Sequence, residues 1–124
     1  MSESIKKHPN FVEVCIYDVK FEKAEEFEKL IEGVVEHHSK YSGVVDVRYM
    51  KRTHRPCSFS DAKKGKPPIK LTRRPKSYTY ILYWELDNEI THGKATQSGL
   101  NNFFKEFNRC LTGMPKMILG ERIA

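Results

Sequence analysis

The sequence predicts an α+β domain in which a strand–helix–strand unit occurs twice, and three observations carry that prediction. Strand-like alternation gives way to helical periodicity and back again over residues 11–51, and the same succession recurs over residues 77–123. Each helical stretch ends at a glycine-bearing turn, Tyr41-Ser42-Gly43 in the first unit and Thr112-Gly113-Met114-Pro115 in the second. A chain of 124 residues also has the length for one hydrophobic core and no room for a second, so a single domain over 1–124 is expected. The order βαββαβ places both helices on one face of one sheet and leaves the other face bare.

Residues 11–19 alternate strictly. Val12, Val14 and Ile16 form a purely β-branched set suited to packing under helices, while Phe11, Glu13, Cys15 and Tyr17 form the mixed set expected to line a cavity on the bare face. Residues 22–40 then take up helical period, with Ala24, Phe27, Leu30, Ile31, Val34, Val35 and His38 on one stripe and glutamates mainly opposite. Gly43 is free to adopt positive φ in the turn that follows. A second strand over 44–52 sets Val45, Val47 and Tyr49 against Asp46, Arg48 and Met50. Residues 77–86, SYTYILYWEL, give the strongest strand signal in the chain. Asp87 or Asn88 can start the second helix, whose apolar face from about 91 to 111 includes His92, Ala95, Gly99, Phe103 and Phe107. A short strand over 116–123 completes a ferredoxin-like split-βαβ sheet, expected to hold its first and third strands at the centre.

Composition excludes several classes. With 39% hydrophobic and 31% charged residues the chain is neither disordered nor membrane-embedded, and no apolar run approaches the roughly 18 residues that span a bilayer. The opening MSESIKKHPN has basic residues without an apolar stretch behind them, so no secretory signal is expected. Cys15, Cys57 and Cys110 are odd in number and scattered, which reads as reduced thiols in a cytoplasmic protein.

The net charge of +6 is concentrated in one segment. Residues 52–76 carry nine lysines and arginines against the single Asp61, and the remainder of the chain is net acidic. This insert, at about 53–76 between the second and third strands, has three readings. It is a solvated loop, a phosphate or nucleic-acid contact, or, least well supported, a metal site built on His54, Cys57 and Asp61. Pro56, Pro67, Pro68 and Pro75 preclude a basic helix for a DNA groove, and Phe59, Ile69 and Leu71 supply apolar anchors. The segment is expected to cap a pocket or a subunit seam, and nucleic acid is not the expected partner.

The stretch YILYWELDNEITHGKATQSGLNNFF, with Trp84-Glu85 closing an aromatic third strand and His92 near a helix start, resembles the antibiotic biosynthesis monooxygenase family. The resemblance spans nearly the whole chain in topology, apart from the long basic insert. It implies a ferredoxin-like subunit whose bare sheet face pairs with a second copy to make a dimeric α+β barrel. Members of the heme-degrading branch carry an Asn on the first strand, and a Trp and a heme-ligating His on the second helix. Here residues 11–19 contain no Asn, the one Trp falls on the third strand, and no His follows His92 on the helix. The resemblance therefore points to the quinone-type branch. That branch uses no metal or organic cofactor and binds a phenolic substrate in a mostly apolar pocket near the sheet.

His92, Arg48 and Tyr83 form the expected catalytic set, and Tyr17, Glu13, Trp84 and Glu85 the expected ligand-binding set. In the first turn of a helix His92 is favoured as a neutral imidazole able to accept a hydroxyl proton. Arg48 either bridges Glu13 or Glu85 inside a barrel, since a buried charge must pair, or clamps a ligand with Tyr17 or Tyr83. His37 and His38 read as a structural pair at a helix C-terminus. Two rival readings belong to other classes. An RNA-recognition domain shares the βαββαβ order and would expose Tyr17 with Tyr78, Tyr80 or Tyr83, although SYTYILYW lacks the glycine-bearing motif of that domain. A non-catalytic small-molecule binder is the other.

Overall fold

The computed structural model describes residues 8–124, so most of the segment on which the absence of a secretory signal was read lies outside the described residues. The elements are β1 (Phe11–Lys20), a 3-10 turn (Phe21–Lys23), α1 (Ala24–Ser39), β2 (Val44–Lys51), β3 (His54–Arg55), α2 (Phe59–Lys63), β4 (Ile69–Lys70), β5 (Ser77–Leu86), α3 (Glu89–Cys110) and β6 (Lys116–Glu121). The four long strands form one antiparallel sheet in the order β2-β5-β1-β6, with β1 and β5 central as expected. Strand β1 pairs with β5 over its whole length and with β6 on its other side. No helix among the described residues is long and apolar enough to cross a membrane.

Local chemistry explains the boundaries. Asn88 caps α3 by accepting a 2.9 Å hydrogen bond from the Thr91 backbone N–H, which satisfies one of the donors a helix start leaves open. Gly43 lies at φ 94° where α1 turns into β2, and a Cβ there would meet Asp87 Oδ1 at 2.8 Å, so both its backbone angle and its neighbours demand glycine. The insert is more regular than the sequence indicated. Strands β3 and β4 pair as a short ribbon, and its tip is the single helical turn α2, capped by Ser58. Its side chains are almost all exposed, and Arg74 lies 3.8 Å over the Phe21 ring where the ribbon returns to the sheet.

One expectation is inverted. The two faces of β1 are exchanged, with Glu13, Cys15, Tyr17 and Val19 buried under α1 and α3 and Val12, Val14 and Ile16 half-buried on the open face. Both sets are largely apolar, so alternation alone located two faces without saying which one the helices cover. The rings decide it. Tyr17 packs against Phe27 of α1 and Phe107 of α3, at 5.8 and 5.6 Å, and these need a deep interlayer space. The same geometry takes Tyr17 and Tyr80 off the open face, where an RNA-recognition surface would need them, because both are buried on the helix side. Tyr83 is the one candidate aromatic that the alternation of β5 sets on the open face.

Candidate functional site

Between the sheet and the two long helices lies a cavity of about 410 Å³, a volume suited to a small organic ligand. The sheet supplies Glu13, Cys15, Tyr17, Tyr49, Leu82 and Trp84 to its floor. Helix α1 adds Val34 and His38, and α3 adds Thr96, Gly99, Phe103 and Phe107. Its rim runs between α3 and β6, where Leu100, Phe104, Met114 and Met117 are exposed. Among the described lining residues there is no lysine or arginine.

A buried polar contact in this interior joins Glu13 of β1 to His92 of α3. His92 Nε2 lies 2.6 Å from Glu13 Oε1, and both side chains are nearly excluded from water. A carboxylate at such depth requires a partner, and the first turn of α3 delivers one. The pair abuts a row of aromatic rings. Phe11 packs on His92 at 5.1 Å, Trp84 on His92 at 5.1 Å, and Trp84 on His38 at 4.4 Å.

Burial tunes the remaining groups. It pushes the hydroxyls of Tyr17 and Tyr49 well above their ordinary range, so both remain protonated. The Cys15 thiol is raised for the same reason and is no thiolate nucleophile. His38 is lowered to about 4, first by burial and then by the neighbouring His37 and His92, so its imidazole is neutral at physiological pH. An unfolded chain takes up that proton near pH 6.5, whereas the folded one takes it up only near pH 4. The native state therefore loses stability as pH falls through this window, by on the order of 3 kcal/mol. Denaturant titrations at pH 7 and pH 4 check this, and in His38→Gln the difference should shrink by that amount.

The structure divides the residues singled out in the sequence. Glu13, Tyr17 and Trp84 line the cavity, and His92 stands directly behind Glu13. Arg48, Tyr83 and Glu85 do not join them, because the pleat turns them to the opposite side of the sheet. Arg48 bridges neither Glu13 nor Glu85. Its side chain is 78% exposed and its Nε pairs with Asp46 at 2.9 Å. Glu85 is buried on the open side, where it accepts hydrogen bonds from Asn10, Tyr83 and Arg122. Burial would raise its carboxyl, but those donors outweigh it and hold Glu85 below the usual carboxylate range.

Sequence reasoning placed Cys15 in a cavity-lining set without a role, and passed over Tyr49, His38 and Thr96 as site residues. His38 had a usable signal, since it was the one polar residue on the apolar stripe of α1. The insert contributes nothing to the cavity wall, so it does not cap this pocket within the chain. Among the described residues, no three His, Cys, Asp or Glu side chains converge as metal ligands.

Neither a protein-family model nor a curated protein matches the sequence. Solved structures do match the fold. A conserved protein from Methanosarcina mazei superposes with a TM-score of 0.64 at 17% identity, over 94% of this chain and 95% of that one. A candidate antibiotic biosynthesis monooxygenase from Nitrosomonas europaea gives 0.63 at 12% identity, covering 97% and 96%. A monooxygenase from Streptomyces coelicolor, solved in complex with the ligand nanaomycin D, gives 0.62 at 14% identity, covering 94% and 89%. The chain thus has the antiparallel, ferredoxin-like α+β fold of the antibiotic biosynthesis monooxygenase-like structures.

Proposed function

We propose that this protein binds a small phenolic or quinone-type aromatic molecule in the interlayer cavity and oxidises it with molecular oxygen, without a metal or organic cofactor. The observation that carries the reading is the cavity itself, apolar-walled, free of lysine and arginine, and bearing one buried carboxylate held by an imidazole. Such a site favours an uncharged ring with hydroxyl groups over an anion. In this reading Glu13 accepts the hydroxyl proton of the substrate, and His92 positions Glu13 and shares the charge. The electron-rich phenolate then reduces O₂. The hydroxyl and a ring C–H become the two carbonyls of a quinone, one oxygen atom of O₂ enters the ring, and the other leaves as water.

Arg48, Tyr83 and Glu85 take a different part. With Val12, Val14, Ile16 and Ile118 they belong to the open sheet face, which a second copy of the chain would cover to give a barrel-like homodimer. Calorimetric titration with 1-naphthol and 1,4-naphthoquinone, followed by oxygen-electrode assays with 1-naphthol, tests the reading. Binding in the micromolar range with oxygen uptake is the expected result, and Glu13→Gln should lose the uptake while still binding. Binding without oxygen uptake would leave a small-molecule binder, and no binding of either probe would overturn the reading.

A further inference from the structure

We infer that His38 is the second polar anchor of the cavity and sets its preference for a ligand hydroxyl. The inference rests on the ligand-binding reading above and goes beyond it, because His38 lies across Trp84 from the Glu13–His92 pair. Its ring packs on Trp84 at 4.4 Å, while Trp84 packs on His92 at 5.1 Å on its own account. The Cε1–Nε2 edge of His38 is wedged against Gly99 of α3, where a Cβ would come within 2.9 Å of the ring. Three polar atoms on residues of this wall are buried without a hydrogen-bond partner among the described residues: His38 Nδ1, Trp84 Nε1 and Thr96 Oγ1.

Unpartnered buried groups are rare because each costs about 1–3 kcal/mol. Several on one wall of one cavity indicate that something other than protein completes them. Their chemistry is complementary to a hydroxyl-bearing ring. An indole N–H can only donate, a threonine hydroxyl does both, and an imidazole held neutral by burial keeps one nitrogen free to accept. A phenolic hydroxyl donates one hydrogen bond and accepts others. Gly99 is what admits the imidazole to this position, and Thr96 sits one turn before it on the same face of α3.

The test compares 1,4-dihydroxynaphthalene, kept under anaerobic conditions, with 4-methoxy-1-naphthol, which retains one hydroxyl for Glu13 but cannot donate at the other end of the ring. In calorimetric titrations the wild-type chain should prefer the diol to its monomethyl ether by about tenfold, the worth of one good hydrogen bond. In His38→Phe, which keeps a ring against Trp84, that preference should fall to near unity with the ether affinity unchanged. Gly99→Ala, which pushes the imidazole out of place, should act in the same direction, with circular dichroism confirming that both variants fold. If both variants keep the preference, the anchor assignment is overturned while the cavity reading stands. If His38→Phe weakens both probes equally, His38 only fills space and the assignment is overturned as well. If neither probe binds the wild-type chain, both readings fall together.

Discussion

A His92→Leu chain is expected to lose about 3–5 kcal/mol of stability, although leucine fills nearly the same space. The substitution removes only the partner of Glu13, whose carboxylate is 3% exposed and lies 2.6 Å from His92 Nε2. An unpaired carboxylate at that depth must either remain charged at great cost or take up a proton. The reverse change, Glu13→Gln, should cost less, because an imidazole left alone can stay neutral and accept a hydrogen bond from the new amide. The two substitutions together should cost clearly less than their sum, since the pair acts as a unit. Urea unfolding midpoints of the four proteins measure this. A cost below 1 kcal/mol for His92→Leu, or simple additivity, would show that the pair is not coupled. Oxidation of a phenol, where it occurs, should fall by two orders of magnitude or more in Glu13→Gln while 1-naphthol still enters the cavity.

Phe27→Ala is the second large effect and acts through packing alone. Phe27 is fully buried at the point where α1 meets the sheet, with ring centroids 4.8 Å from Tyr80, 5.7 Å from Phe107 and 5.8 Å from Tyr17. Truncation removes the transfer free energy of a phenyl ring and leaves a void among three aromatic side chains that have little freedom to collapse into it. A loss of about 3–5 kcal/mol is expected, with a fall in Tm on the order of 10–20 °C. Since Tyr17 and Phe107 also line the ligand cavity, the void should join it. Phe27→Ala should then tolerate a bulkier aromatic probe than the wild-type chain does. A loss under 1 kcal/mol would mean that the surrounding rings close the gap.

The architecture was legible in the sequence because periodicity is a local property. The strand expected over 77–86 is β5 to the residue, and α3 spans Glu89–Cys110 where 91–111 was expected. What was not legible depends on partners distant in the chain. Glu13 was set on the face away from the helices because the β-branched set suited the helix side, and the partner that lets it be buried there lies 79 positions away. His38 passed for a helix-terminal residue because neither Trp84 nor Gly99 is near it in sequence. The insert read as irregular because its ribbon uses strands of only two residues, too short to show a period. Arg48 and Tyr83 were grouped with Glu13 on residue type, whereas the pleat separates them by the thickness of the sheet.

Placing the only tryptophan of the chain between two imidazoles has an optical consequence. Trp84 is almost wholly shielded from water and its indole N–H lacks an acceptor among the described residues, so its emission should be that of an indole in an apolar medium. Protonated imidazole quenches indole far more effectively than the neutral form does. The fluorescence of this protein should therefore dim as acid reaches His38, and should shift when a guest displaces water or touches the indole. The chain carries its own single-site reporter, with no competing tryptophan signal to subtract.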